Sequence, residues 1–142
     1  MKVKDMMTRQ VIRIRPEESV AVAARTLTHY NIGMLPVCNA EGELCGVVTD
    51  RDIVVRCLAA ERPAAHTAVG DIMTGNVHCA QPEMDAGAAA HLMGRQQVRR
   101  LPVVENGSLC GMVSLGDLAN NSESAYDATD ALTEITGNIS SR

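Results

Sequence analysis

Apolar positions along this chain follow two different periods, and the changes of period mark its elements. Val20, Ala23, Ala24 and Leu27 fall at i, i+3, i+4 and i+7, the spacing of a helix that turns one face to a sheet. Ser19, just before them, is an N-cap residue type. Ala86, Ala89, Ala90 and Met93 repeat the stripe behind Asp85. Short apolar runs bounded by turn formers predict strands. Val11-Ile12-Arg13-Ile14 is one, ended by Pro16. Leu35-Pro36-Val37-Cys38 and Leu44-Cys45-Gly46-Val47-Val48 flank Asn39-Ala40-Glu41-Gly42, a hairpin signal, and Glu105-Asn106-Gly107 does the same later. Further helices are predicted to start near Asp50 and near Leu115. In the tail, Ala125, Ala128, Leu132 and Ile135 predict a short amphipathic helix, stopped by Gly137-Asn138.

These elements occur twice because the sequence repeats itself. Val3-Lys4-Asp5-Met6-Met7-Thr8 recurs as Val69-Gly70-Asp71-Ile72-Met73-Thr74, an offset of 66 that also maps Pro16 to Pro82 and Leu35-Pro36-Val37 to Leu101-Pro102-Val103. After a one-residue hairpin deletion the offset is 65, and Leu44-Cys45-Gly46 maps to Leu109-Cys110-Gly111, Val48 to Val113 and Asp52 to Asp117. Each copy reads β-α-β-β-α. The expected division is a first repeat over 3–58, a linker over 59–68, a second repeat over 69–120 and a tail over 121–142. A unit of about 55 residues is marginal as an independent core, so the two repeats are expected to pack into one compact α/β module.

Composition narrows the function. The 142 residues include no Trp or Phe and two Tyr, so burial must come from small aliphatic side chains, which suit thin α/β layers. A net charge of −4 gives no general attraction to nucleic acid or to an anionic membrane. No apolar run is long enough to cross a bilayer, and the start of the chain turns acidic before any apolar region, so a cytoplasmic protein is expected. Cys38, Cys45, Cys57, Cys79 and Cys110 form an odd set without a C-x-x-C pair or a His at zinc-ligand spacing, which reads as buried reduced thiols rather than a metal site. No nucleophile with its base, metal cluster or phosphate-binding glycine loop is visible, so no enzyme is expected.

Two loops carry candidate chemistry: Gly46-Val47-Val48-Thr49-Asp50-Arg51-Asp52 and Gly111-Met112-Val113-Ser114-Leu115-Gly116-Asp117. In both, a hydroxyl at a strand end and a carboxylate three residues on would meet at a helix N-terminus, where the dipole favours an anion such as phosphate. The carboxylate could accept both hydroxyls of a ribose diol. The same residues could equally be plain helix caps.

With the openings Asp5-Met6-Met7-Thr8 and Asp71-Ile72-Met73-Thr74 and the middles Ile32-Gly33-Met34-Leu35-Pro36-Val37 and Val98-Arg99-Arg100-Leu101-Pro102-Val103, the pattern resembles the CBS-domain pair, or Bateman module, over about residues 3–120. The resemblance implies two pseudo-symmetric repeats with adenosyl ligands in clefts between them. One site would use Ser114 and Asp117, with Thr8 and Val11 beside the base. The other would use Thr49 and Asp52, with Thr74 and Val77. Met34, Pro36 and Pro102 match positions that wall the base. Arg99-Arg100, replaced by Gly33-Met34 in the first repeat, match the basic pair that reaches ligand phosphates, although adjacent strand residues point to opposite faces. The module is expected to be regulatory, to need no cofactor, to bind AMP, ADP or ATP, and to act as a homodimer on an unidentified regulated protein. The alternatives are a dimerisation scaffold with vestigial pockets, or a sensor of S-adenosylmethionine or a dinucleotide.

Overall fold

The computed structural model describes residues 1–121 and 123–140. Ser122, Ser141 and Arg142, part of the expected tail, lie outside the described residues. Two α/β units are present, Ile12–Val77 and Met1–Val11 with His78–Arg142. In the first, α1 (Val20–Tyr30) leads to the hairpin of β1 (Met34–Cys38) and β2 (Leu44–Thr49). Helix α2 (Asp50–Asp52) then continues as a π-helical segment over Ile53–Leu58, and α3 (Val69–Ile72) follows. The second unit repeats this order with α4 (Ala86–Gln96), β3 (Arg100–Glu105), β4 (Ser108–Ser114) and α5 (Leu115–Ala119), and adds α6 (Ala125–Ser140).

The helices start where their caps predict. The Ser19 hydroxyl accepts the Val22 N–H at 3.2 Å, and an Asp85 carboxylate oxygen accepts the Gly87 N–H at 3.0 Å. Both helices end on a left-handed residue, Asn31 at φ 52° and Gln97 at φ 58°. The second stripe faces inward as expected, with Ala86, Ala89, Ala90 and Met93 buried; in the first Val20, Ala23 and Leu27 are buried but Ala24, expected with them, is only half-buried.

The predicted opening strand is reduced to a single bridge, and proline is the reason. Ile14 donates to the Pro36 carbonyl and accepts from the Cys38 N–H, pairing with Val37 in parallel. The next rungs on either side would need an N–H from Pro36 or from Pro16, and neither has one. Ala80 is held between the Pro102 carbonyl and the Val104 N–H in the same way, with Pro102 and Pro82 blocking extension.

The opening segment of each repeat joins the hairpin of the other. Val3 is buried in the core of the second unit, and Thr8 exchanges backbone hydrogen bonds with Met112 on β4 at 2.8 and 2.9 Å. Lys2 and Lys4 fasten this segment to Glu83 at 2.5 and 2.7 Å, and their hydrogen bonds hold the Glu83 carboxyl down at about 2. In the first unit Val69 is buried, and Thr74 exchanges backbone bonds with Val47 on β2 at 2.8 and 2.9 Å. Glycine makes both approaches possible. A Cβ on Gly46 would lie 2.4 Å from the Thr74 carbonyl oxygen, and one on Gly111 would lie 3.0 Å from that of Thr8.

The tail helix differs from expectation in two respects. It runs through Gly137 and Asn138 to Ser140; a glycine inside a helix costs only about 1 kcal/mol against alanine, and Gly137 does not adopt the positive φ of a left-handed cap. Its buried face is Ala128, Ala131 and Ile135, while Leu132 is 42% exposed. Close packing on α4 turns the small residue inward: a Cβ on Gly94 would lie 3.2 Å from the Ala131 Cα. His91 Nε2 on α4 meets Asp127 Oδ1 on α6 at 2.8 Å.

Gly46→Ala is expected to destabilise the protein by about 1–3 kcal/mol, the usual cost of forcing atoms into a filled space. Gly75→Ala, where nothing lies within 4 Å of the added carbon, should change stability by about 0.5 kcal/mol or less. Urea denaturation of the two variants checks this, and equal losses would contradict the close approach at Gly46.

Candidate functional site

The hydroxyl and carboxylate of each loop do meet, as reciprocal caps. Thr49 Oγ1 accepts the Asp52 N–H at 3.0 Å, and Asp52 Oδ2 accepts the Thr49 N–H at 3.0 Å. Ser114 Oγ accepts the Asp117 N–H at 3.1 Å, and Asp117 Oδ2 accepts the Ser114 N–H at 2.9 Å. Each is a capping box in which aspartate fills the place usually taken by Glu or Gln. The helix behind the second box is short, five residues in α5, so the macrodipole there is that of about one turn, whereas α2 runs on into the π-helical segment.

Beyond this shared frame the two sites diverge. In the first unit, Thr74 Oγ1 donates to Asp52 Oδ1 at 3.1 Å and Oδ2 at 3.3 Å, and Arg56 Nε lies 3.9 Å from Oδ1. Arg56 also donates to the carbonyls of Met73 at 3.0 Å and Ile72 at 3.3 Å, so it clasps the Thr74 segment to the helix. Asp52 is 7% exposed, with both oxygens on protein donors. In the second unit the position of Arg56 is taken by Asn121, whose oxygen accepts the Glu123 N–H. Thr8 is exposed and Asp117 half-buried. Among the described residues, the Thr8 hydroxyl has no hydrogen bond and Asp117 Oδ1 meets no protein donor.

The remaining predicted residues fall into line along the hairpins. Pro36 pairs with Val47, to which Thr74 is bridged, and Pro102 pairs with Met112, to which Thr8 is bridged. Both prolines are buried, and Val11 and Val77 are half-buried. Met34 stands opposite Thr49 where Arg100 stands opposite Ser114. Arg99 and Arg100, expected on opposite faces, line one cavity of about 410 Å³ together with Ser114, Leu115, Gly116 and residues of α6. The reason is that the strand begins only at Arg100, so strict alternation does not govern Arg99. Both side chains are exposed, and among the described residues neither guanidinium has a hydrogen bond or ion pair. At the matching place in the first unit, a Cβ on Gly33 would lie 3.6 Å from an Asp50 carboxylate oxygen. A larger depression of about 700 Å³ runs along α1 between Val22 and Tyr30 and holds none of these residues.

Sequence reasoning missed Arg56, Asp50 and the α6 contribution. The i, i+4 spacing from Asp52 to Arg56 was the readable signal for the first. Burial pushes the Cys38, Cys79 and Cys110 thiols up. Among the described residues no group of three His, Cys, Asp or Glu side chains could hold a metal ion, and no helix is long and apolar enough to cross a membrane.

Two β-α-β-β-α repeats, each ending in a capped Ser/Thr-to-Asp loop, define a tandem α/β module. The chain belongs to the CBS domain family, whose model matches residues 3–58 and 69–124. It is 41% identical over 133 residues to the CBS domain-containing protein YhcV of Bacillus subtilis (strain 168), covering 94% of each chain. Among solved structures, it is similar to CBSX2 in complex with AMP, with a TM-score of 0.72, 30% identity and coverage of 82% of this chain and 91% of that one. It is also similar to the CBS domain pair of MJ0100 in complex with 5-methylthioadenosine and S-adenosyl-L-methionine, with a TM-score of 0.73, 28% identity and coverage of 84% and 93%. Helix α6 lies wholly beyond the matched residues.

The two aspartates should differ in what they do for stability. Asp52→Ala removes a charged acceptor from Thr49 and Thr74 and a partner from Arg56, and should cost about 1.5–3 kcal/mol. Asp117→Ala removes only a cap and should cost less, about 0.5–2 kcal/mol. Chemical denaturation ranks them; a larger loss for Asp117→Ala would contradict the contrast drawn here.

Proposed function

We propose that this chain is a non-catalytic, cytoplasmic regulatory module that binds a phosphorylated adenosine, AMP, ADP or ATP, at the Ser114–Asp117 site. Asp117 accepts a ribose hydroxyl, Thr8 and Val11 lie beside the base with Pro102 behind them, and Arg99 and Arg100 take the phosphate. One observation carries this reading. Among the described residues, the second unit's site combines an Asp117 oxygen that meets no protein donor with Arg99 and Arg100, whose side chains have no partner, whereas Asp52 has donors on both oxygens. A charged group whose hydrogen-bonding capacity is left open gains most from a complementary ligand. The similarity to CBSX2, solved with AMP, supports the choice of ligand.

A second reading is favoured at the Thr49–Asp52 site. There Thr74 and Arg56 already engage the aspartate, Met34 replaces an arginine, and the Asp50 carboxylate would repel phosphate. With Thr49, Asp52, Thr74, Val77, Met34 and Pro36 in the roles expected from the sequence, this site suits an uncharged or cationic adenosyl compound. S-adenosylmethionine is such a compound, in keeping with the ligands of MJ0100. Neither site needs a cofactor, and the regulated target is another protein or another copy of this chain.

Titration calorimetry with adenosine and AMP tests the assignment. Asp117→Ala should weaken both ligands by about 1.5–3 kcal/mol, the value of a hydrogen bond to a charged group. Replacing Arg99 and Arg100 by alanine should weaken AMP alone and flatten the salt dependence of its binding. Equal losses for adenosine and AMP in the arginine variant would overturn the phosphate role. The proposed state is a homodimer, because Val54, Val55 and Leu58 on the π-helical segment are 53%, 50% and 71% exposed and a second copy would cover them. Sedimentation should give a dimer at micromolar concentration, and a monomer with and without nucleotide would contradict it.

A further inference from the structure

We propose that helix α6 is a wall of the phosphate end of the Ser114–Asp117 site, so that binding of a phosphorylated ligand and docking of α6 are coupled. The inference rests on the nucleotide reading above and adds a set of ligand-facing residues that lie outside the family match. The cavity of about 410 Å³ that holds Arg99, Arg100 and Ser114 is also lined by Ala128, Thr129 and Leu132 of α6. Its size is that of a small-molecule site. Thr129 Oγ1 already donates to the Ala125 carbonyl, so α6 brings an apolar wall and no positive charge. The attraction for an anion comes from the two guanidiniums opposite. Leu132, 42% exposed, is the large apolar side chain that α6 brings to the cavity lining.

Docking of α6 is of a kind that a ligand can shift. Among its described side chains it buries Ala128, Ala131 and Ile135. It is otherwise held by the Ser124 hydroxyl on the Leu118 carbonyl at 2.6 Å and by the His91–Asp127 contact. A ligand that touches α6 only in the docked position binds that state better and raises its population. A ligand confined to Asp117 and Thr8 does not touch the helix and leaves the balance unchanged. AMP and adenosine differ in the group that would reach this wall, and so separate the two cases.

The test is amide hydrogen exchange over residues 125–137 of the full chain, alone and with saturating AMP or adenosine, together with calorimetry on Leu132→Glu. AMP should slow exchange in α6 by about tenfold, equivalent to about 1.4 kcal/mol, while adenosine leaves it unchanged. Leu132→Glu, at an exposed position whose folding a thermal melt verifies, should weaken AMP by about tenfold and leave adenosine unaffected. If AMP binds the wild-type chain but α6 exchange and the Leu132→Glu affinity do not move, this inference is overturned and the nucleotide reading stands. If neither ligand binds the wild-type chain, the nucleotide reading falls and the inference falls with it.

Discussion

Everything at the two sites depends on a pair of backbone bridges, Thr8 to Met112 and Thr74 to Val47. Each sets the opening segment of one repeat beside the hairpin of the other, within hydrogen-bonding distance of a strand whose neighbouring residue is glycine. The constraint is steric before it is chemical. A side chain at Gly46 would meet the Thr74 carbonyl at 2.4 Å, far inside van der Waals contact, so the bridge and any larger residue exclude each other. Because the bridge fixes Thr74 it also fixes the reach of its hydroxyl to Asp52, and Arg56 grips the same segment from the helix side. Prolines at 16, 36, 82 and 102 complete the frame by limiting the opening strands to one rung each.

On this common frame a few substitutions give the two sites different chemistry. The capping boxes are nearly superposable in their distances, 3.0 and 3.0 Å in one and 3.1 and 2.9 Å in the other. What changes is the surrounding charge. Arg56 becomes Asn121, which turns to its own loop, and Gly33-Met34 becomes Arg99-Arg100. Asp50 becomes Leu115, removing a carboxylate from the place where the arginines gather. One aspartate is thereby built into the fold, and the other keeps an oxygen that meets no donor among the described residues, next to the cavity that Ser114, Arg99 and Arg100 line. Duplication explains why both sites have the same caps, and divergence explains why a shared motif does not imply a shared ligand.

The sequence was a good guide wherever a feature is local or copied. Ser19, Asp85, the two hairpin turns and the inward stripes of α1 and α4 follow from capping and periodicity, and the 66-residue offset placed Thr8 and Thr74 in register. It failed where a distant residue decides. The opening strand from Val11 to Ile14 has the right apolar pattern, yet its length is set jointly by the nearby Pro16 and by Pro36 on β1, more than twenty residues away. The face of α6 was misread because Gly94 on α4, not the α6 stripe itself, determines that Ala131 goes inward and Leu132 outward. At the sites, the reach of Thr74 and Arg56 to Asp52 is tertiary. The difference between a saturated and an open carboxylate could not be seen in two loops that read alike.

The central claim is that the two aspartates are not equivalent toward a phosphorylated adenosine, and backbone NMR during an AMP titration addresses it most directly. Saturable shifts should appear at Thr8, Arg99, Arg100 and the residues from Ser114 to Asp117, and extend into α6. Those of Thr49, Asp52 and Thr74 should stay in place over the same range. Shifts centred on Thr49, Asp52 and Thr74, or rising on both sets at the same AMP concentration, would contradict the account.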